Sequence, residues 1–251
     1  MEQSMIESIY WLALAIALAW TIEAATGFGS IVIALSIAAL FLPIEQVVPI
    51  LVVLNITMTI PMVIKYRDQI DWPILLKSIL PLMSAGAITA LLLAPYVDGR
   101  WLPIGFALLV LWFSSRSLLM LLKTSTSPKP NRPWQTKSLI FLAGITHGLY
   151  ASGGPLLVYS LSGSRLSKSQ FRTTLITVWA SLNTLMAIWF IATDTMTKST
   201  WVSILVLIPI VFIGARLGAW LHHKVDEQKF KLMVAVLLVL TSILLIIKQV
   251  S

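Results

Sequence analysis

Two interruptions in otherwise apolar, membrane-length sequence constrain most strongly how this chain can fold. The first break, residues 23–30 (EAATGFGS), lies within an apolar run that extends from Ile6 to Pro43. The second break, residues 147–155 (HGLYASGGP), lies within the run that opens the other half of the chain. Polar backbone at membrane depth is tolerated where it lines a cavity or binds a ligand. The two breaks therefore predict the two halves of one transport site.

The composition indicates a membrane protein. Hydrophobic residues make up 58% of the 251 residues and charged residues 11%, with a mean hydropathy of +0.90, whereas a soluble domain has roughly 25% charged residues. The net charge of +8 is then typical of cytoplasmic loops. We therefore expect the lipid bilayer as a partner and no nucleic acid. With no cysteine, the chain has no thiolate metal site, and we predict neither a metal nor a cofactor.

Apolar segments of about 20 residues define the predicted architecture. Seven of them read as spans: 6–22, 46–64, 73–95, 101–122, 171–192, 201–221 and 231–247. The segments 28–42 and 138–162 differ, because the first is short and the second is split by glycine and serine. We predict an all-α polytopic membrane protein with two repeats. Each repeat opens with a broken or re-entrant helix pair (6–22 with 28–42; 138–150 with 154–162) and continues with three transmembrane helices.

The polar stretch 123–137, which contains three prolines, joins the halves. We therefore predict a first transmembrane repeat over 1–122, a cytoplasmic linker over 123–137 and a second repeat over 138–251. Matches at a constant offset relate the two repeats. Pro81, Gly86 and Asn55 recur 128 positions later as Pro209, Gly214 and Asn183, and Glu23 and Gly29 recur 124 positions later as His147 and Gly153.

The distribution of basic residues predicts the orientation. With the linker in the cytoplasm, only Arg100, Lys198 and Lys248 of the 18 basic residues fall outside, as the positive-inside rule requires. Equivalent loops of the two halves carry opposite charge bias, which predicts inverted topology with both termini in the periplasm.

These motifs resemble the sulfite exporter TauE/SafE family of bacterial membrane transporters, and the likeness covers nearly the whole chain. The residues that carry it are Thr26-Gly27-Phe28-Gly29, Lys65-Tyr66-Arg67 with Asp71-Trp72, Pro81 with Gly86-Ala87, Gly148, Ser152-Gly153-Gly154-Pro155, and Pro209 with Gly214-Ala215-Arg216-Leu217-Gly218. The resemblance implies a secondary transporter that exports small sulfur-containing anions, such as sulfite, sulfoacetate or related organosulfur acids, across the bacterial inner membrane. Ser30 and Ala151-Ser152 depart from the glycine-richer family pattern and bear on the substrate.

The predicted substrate site combines half-helix N-termini with polar side chains. Helices that start near Gly29 and Gly154 would aim unpaired N–H groups at an anion. Hydroxyl groups and repeat-related amides would complete the shell. The predicted substrate-binding residues are Thr26, Gly27, Phe28, Gly29, Ser30, Asn55, Tyr150, Ser152, Gly153, Gly154 and Asn183. For Gly86 and Gly214 we favour a packing role.

Glu23 and His147 are repeat-related ionisable residues within apolar sequence. An ionised carboxylate is costly there, and histidine is neutral or cationic near physiological pH. We hypothesise that protonation of one or both is linked to anion movement. The alternative is that Glu23 caps a helix end and His147 is a hydrogen-bonded core residue.

Other functions stay open at this point. The same breaks could form the filter of an anion channel, or the chain could transport or import another small carboxylate. An intramembrane enzyme is disfavoured, because Ser152 lacks a Gly-x-Ser-x-Gly setting, and no P-loop is present. No catalytic residue is predicted. A homo-oligomer is left open as a further partner.

Overall fold

The computed structural model describes residues 2–26, 29–96, 99–122, 132–161, 164–221 and 227–250, and these form helices and turns without a strand. A π-helix occupies Leu75–Ile79, between α4 and α5. The α-helices are α1 (Glu2–Thr26), α2 (Ser30–Ala38), α3 (Ile44–Lys65), α4 (Trp72–Ile74), α5 (Leu80–Leu93), α6 (Trp101–Leu122), α7 (Pro133–Tyr150), α8 (Gly154–Ser160), α9 (Lys168–Ala192), α10 (Lys198–Leu221) and α11 (Glu227–Val250).

Six helical segments of the described chain are long and apolar enough to cross a membrane. They are Ile44–Lys65, Trp72–Tyr96, Trp101–Met120, Ser169–Ala192, Lys198–Gly218 and Leu232–Gln249, and α1 adds a shorter apolar stretch, Tyr10–Ala24. Large aliphatic side chains such as Ile64 and Leu205 are exposed on these helices, as lipid contact requires. The prediction of an all-α polytopic membrane protein is confirmed. The inverted relation of the repeats stays a prediction.

The helices form two compact units, and neither unit is one half of the sequence. The first unit contains α1, α2, residues 44–51 of α3, α6, α10 and α11. The second unit contains residues 52–65 of α3, α4, α5, α7, α8 and α9. Each unit therefore takes helices from both predicted repeats.

In the first unit, α1 packs along α10, α6 packs along α11, and α2 lies against α1. Two contacts hold the end of α2. The Lys248 ammonium on α11 donates to the carbonyl oxygen of Leu40 at 2.8 Å, where helix carbonyls have no partner within the helix. The rings of Trp11 and Phe41 stack with centroids 4.7 Å apart.

In the second unit, α7 packs along α5 and α8 folds back on α7. Asp71 caps α4 by accepting from the N–H of Ile74 at 3.0 Å, as helix-starting aspartates do. The Asp71 N–H in turn donates to the Thr174 hydroxyl on α9 at 3.1 Å. The apolar core of this unit includes Leu75, Ile79, Met83, Ile140, Leu157, Val178 and Leu182.

The π-helix at Leu75–Ile79 has a local cause in the sequence. Pro81 follows it in the first turn of α5 and has no N–H to donate to the carbonyl four residues earlier. The preceding residue, Leu80, donates instead to the carbonyl of Leu75, five residues earlier. The helix is therefore wider by one residue just before Pro81, which is how π-bulges arise.

Gly86 and Gly214 lie at helix crossings, one within each unit. A methyl group at position 86 would overlap the carbonyl oxygen of Phe141 on α7. At position 214 it would lie 2.9 Å from the carbonyl oxygen of Ala17 on α1. Both contacts are made by backbone, which cannot move aside as a side chain can. The packing role predicted for these two glycines is confirmed.

Most helices extend a few residues beyond the predicted spans. The helix α1 continues to Thr26, so Glu23 lies in this helix and not in the predicted break. Two further differences concern the linker and α2. The helix α7 begins at Pro133, within the predicted linker, because Pro133 suits a first helical position and the Arg132 N–H is satisfied by Gln135 Oε1 at 3.1 Å. The helix α2 ends at Ala38, short of the predicted 28–42 segment, and a turn over 39–42 follows it.

Candidate substrate site

The second break interrupts the chain between α7 and α8. The helix α7 ends at Tyr150, and Ala151 adopts a left-handed conformation with φ 51° while its N–H donates to the carbonyl oxygen of His147 at 2.7 Å. A new helix, α8, begins at Gly154 with Pro155 in its first turn. Proline is favoured in the first turn of a helix, and its position here agrees with the start of α8.

The chain at Gly153 passes close to α7. A methyl group there would overlap the carbonyl oxygen of Ala143 and would lie 3.0 Å from His147 Cβ and 2.9 Å from Met83 Cε. Only glycine fits without displacing backbone. The break therefore folds back beside His147, which places Ser152 in the same buried region.

His147 is fully buried and its ring stacks on Trp179 of α9, with centroids 5.7 Å apart and planes 17° apart. Neither ring nitrogen makes a hydrogen bond of acceptable geometry within the part of the chain that the structure describes. Burying an unpaired polar atom costs on the order of 1–3 kcal/mol. Buried ring nitrogens usually have a partner, so these two are candidates to contact a ligand. The alternative interpretation, a hydrogen-bonded core histidine, stays a prediction.

The structure brings together the two amides that the repeat relates. Asn183 Nδ2 on α9 donates to Asn55 Oδ1 on α3 at 2.8 Å, and both side chains are buried. Asn183 lies one turn after Trp179, on the same face of α9, and its side chain interacts with His147. That interaction falls outside hydrogen-bond geometry, and Asn183 Oδ1 has no partner among the described residues.

Ser152 has a buried hydroxyl with no partner in the described ranges. The contrast with Ser160, at the end of α8, is informative: its equally buried hydroxyl donates to the carbonyl oxygen of Leu157 at 2.7 Å. Most buried hydroxyl groups are satisfied in this way. We refer to His147, Ser152 and Asn183 as the polar cluster, since all three present buried polar atoms that lack a partner in the same region of the second unit.

The rest of the second break is also buried. Tyr150, at the end of α7, is 5% exposed. Among the described side chains buried in the second unit, His147 and Tyr150 are the ionisable ones.

The first break belongs to the other unit. Gly29 precedes α2 with φ 100°, a conformation that favours glycine, and its carbonyl accepts from the N–H of Ile33 at 3.0 Å. Ser30 and Glu23 are buried, at 2% and 7% exposure. Gly27, Phe28 and the side chain of Thr26 lie outside the described residues. The joining of the two breaks in one site stays a prediction.

Sequence reasoning missed two aromatic residues near the predicted site. Trp179 supplies the face on which His147 stacks, and Trp20, three residues before Glu23, has a fully buried indole N–H without a partner in the described chain. Neither residue is assigned a role from the sequence alone. Their spacing was the available signal, because Trp179 precedes Asn183 by one helical turn and Trp20 precedes Glu23 by nearly one.

Membrane-length helices, helices interrupted within apolar sequence and a buried polar cluster beside an interruption together define a polytopic membrane transport protein. The sulfite exporter TauE/SafE family matches residues 12–245, and the chain belongs to this family.

A curated relative is also a transporter. The chain is 25% identical over 172 residues to the "Probable inner membrane transporter protein TsaS" of Comamonas testosteroni, over 68% of this chain and 70% of the relative. No solved structure matches the chain. The resemblance seen in the sequence is thus confirmed, and the protein is a TauE/SafE family transporter.

Proposed function

We propose that this protein is a secondary transporter that exports small sulfur-containing anions, such as sulfite, sulfoacetate or related organosulfur acids, across the bacterial inner membrane. The family supports the transport of sulfur-containing anions, and the curated relative supports the inner membrane. The observation that carries the proposal is the polar cluster, in which three buried side chains next to a helix break leave polar atoms unsatisfied.

The chemistry of the cluster suits an oxyanion that loses its water on entry. The Ser152 hydroxyl and a His147 N–H are donors, and the sulfite or sulfonate oxygens are acceptors that would satisfy them. The Tyr150 hydroxyl is a further donor in our proposal. Because α8 spans only seven residues, these side chains contribute more than its helix dipole does. We propose that Gly29 and Ser30, at the start of the nine-residue α2, complete the site from the first break.

We propose proton coupling through Glu23 and His147. Both side chains are buried, so a change in the charge of either is costly unless the charge of a bound anion compensates for it. The test is anion flux into liposomes across a range of pH for the wild type and for Glu23→Gln and His147→Gln. Unchanged pH dependence in one variant removes that residue from the coupling scheme.

The orientation is tested without background labelling, because the chain contains no cysteine. Single-cysteine variants Ser4→Cys and Ser251→Cys report the two termini, and Ser127→Cys reports the linker. We propose inverted repeats with both termini periplasmic. An impermeant maleimide added to intact spheroplasts should then label the termini and leave the linker unlabelled.

A panel of organosulfur and carboxylate anions tests the transport function. Binding is screened by thermal shift in detergent, and hits are tested for flux in liposomes with Ser152→Ala and Ser160→Ala as a matched pair. We expect saturable, gradient-dependent flux that Ser152→Ala reduces at least tenfold and Ser160→Ala leaves near wild type. A non-saturating ohmic current would identify a channel instead. Hydrolysis of a test substrate that Ser152→Ala abolishes would identify an enzyme.

A further inference from the structure

The hydrogen bond between the side chains of Asn55 on α3 and Asn183 on α9 leaves one amide oxygen, Asn183 Oδ1, available to His147. Asn183 uses its NH₂ group to donate to Asn55 Oδ1 at 2.8 Å. The oxygen of the same planar amide, Asn183 Oδ1, is buried and has no partner in the described structure. That oxygen accepts hydrogen bonds and cannot donate them. A donor is therefore required beside Asn183 Oδ1.

The imidazole of His147 is the side chain that can supply this donor. It interacts with Asn183, and stacking on Trp179 restricts the plane of its ring. Its two nitrogens lack partners in the described structure, as do Asn183 Oδ1 and the Ser152 hydroxyl. A small rotation would pair a ring N–H with the amide oxygen and remove two unsatisfied buried groups at once.

We propose that the Asn55–Asn183 pair holds neutral His147 in a single tautomer, with its N–H directed to Asn183 Oδ1 and its other nitrogen available to the transported solute. Asn183 and Asn55 are then positioning residues that act through His147. The role of the second nitrogen rests on the proposed function, but the tautomer does not.

The single tautomer defines how a charged substrate binds. In neutral His147 the second nitrogen is an acceptor, and so are the oxygens of a sulfonate, so the two repel. A sulfonate stays ionised throughout the physiological pH range and cannot bring the proton itself. Binding of one sulfonate therefore requires that one proton from the same compartment add to His147, which gives an imidazolium beside the anion and no net change in charge.

Among the described residues of the second unit, the helices packed around His147 carry few other ionisable groups. No ionisable residue lies in three of the helical segments, 80–93 of α5, 52–64 of α3 and 173–192 of α9. On α8 the ionisable residue is Tyr159, and on α7 the nearest is Tyr150. Arg172 lies about two turns before Trp179, roughly 10 Å along α9. The proton that accompanies a sulfonate is therefore assigned to His147.

The tautomer is measured directly by ring ¹⁵N chemical shifts. The chain has three histidines, and His222→Gln with His223→Gln leaves His147 as the only signal. In nanodiscs without solute, at a pH where the ring is neutral, we expect one tautomer. Asn183→Ala should give a mixture of tautomers. Asn55→Ala should give a smaller share of the second tautomer. Thr184→Val is the control, since the Thr184 hydroxyl donates to the Ala180 carbonyl of its own helix.

A mixture in the wild type, or an unchanged single tautomer in Asn183→Ala, overturns the proposal. If Asn183→Ala does not fold, Asn183→Asp keeps the shape and adds a negative charge. The doubly protonated ring should then persist to higher pH, and an unshifted titration contradicts the proposal.

Flux of methanesulfonate separates this inference from the proposed function. We expect uptake to rise as pH falls in the wild type, and Asn183→Ala to alter the pH profile while Thr184→Val does not. A single tautomer in a protein that carries no anion would leave the inference standing and end the proposed function. Sulfonate uptake independent of pH would contradict the inference and leave the function intact.

Discussion

The crossing of α5 with α7 in the second unit and the crossing of α1 with α10 in the first unit are built to one plan. Gly86 and Gly214 occupy the corresponding position, 128 residues apart. The neighbours of Gly86 are Phe141, Gly144 and Ile145, and those of Gly214 are Ala17, Trp20 and Thr21. Each member of the first set follows its counterpart by 124 positions, the offset found near the breaks. These contacts support the repeat.

The difference between the crossings lies in what accompanies the glycine. Where α7 has Gly144, α1 has Trp20, and the closest approach at Gly214 is looser than at Gly86. His147 lies near the end of α7, and Ser152 lies in the break that follows it. Glu23 lies near the end of α1, before the first break. The comparison teaches that the same glycine crossing can accompany a histidine, His147, in one unit and a glutamate, Glu23, in the other. Four sets of substitutions test this comparison, in order of decreasing effect.

Gly86→Ala should have the largest effect on stability. The added methyl group would overlap backbone of α7, and overpacking of this kind costs about 3 kcal/mol or more. Gly214→Ala, with a closest contact of 2.9 Å, should cost only about 1 kcal/mol. The free energy of unfolding in mixed micelles measures both. Equal losses at the two positions would show that the crossings are equally tight and would remove the contrast.

Asn183→Ala should cost about 2 kcal/mol, since it deletes the 2.8 Å hydrogen bond and leaves Asn55 buried without that donor. The matched change Thr184→Val should cost well under 1 kcal/mol. A double-mutant cycle with Asn55→Ala should give a coupling energy of about 1 kcal/mol. Additive single effects would mean that the pair does not contribute to stability.

Each break contains one described residue in the left-handed region, Gly29 before α2 and Ala151 after α7, so Gly29→Ala and Ala151→Gly should have opposite effects. Gly29→Ala meets only Ile33 Cδ1 at 3.6 Å, yet φ 100° should cost it about 1 kcal/mol. Ala151→Gly relieves a strained φ of 51° and should gain about 0.5 kcal/mol after the entropy of glycine is subtracted. Asp194→Gly, at φ 53°, is the control for an exposed site. Thermal unfolding measures the effects. If Ala151→Gly destabilises the protein as Gly29→Ala does, the backbone at Ala151 is not strained.

Ser152→Ala should change stability least. Its hydroxyl makes no hydrogen bond in the described structure, so its removal should be neutral or should stabilise by a few tenths of a kcal/mol. Ser160→Ala breaks a 2.7 Å bond and should cost about 1 kcal/mol. Melting temperatures in detergent compare the two. A large loss for Ser152→Ala would reveal a structural role for its hydroxyl.

Much of the fold could be predicted because membrane helices follow from local composition. The predicted span 101–122 coincides with α6, and the glycine and proline pattern placed the end of α7 and the start of α8. The offset of 128 residues related Asn55 to Asn183 in the sequence, and the hydrogen bond between their side chains agrees with that relation.

The rest depends on packing that local sequence does not contain. The stacking of Trp179 on His147 requires the positions of α7 and α9. The division into units that mix the repeats follows from which helices cross, a property of whole helix faces. Apolar residues surround most faces of a membrane helix, so hydropathy alone did not indicate these contacts.

The most direct test of the central claim is equilibrium binding of sulfite and methanesulfonate to the protein in nanodiscs, measured by titration calorimetry. The variants are Ser152→Ala and Asn183→Ala, with Ser160→Ala and Thr184→Val as controls. If the polar cluster binds the anion, the first two should weaken binding at least tenfold, about 1.4 kcal/mol, and the controls should match the wild type. Equal affinity in all four variants would contradict the account.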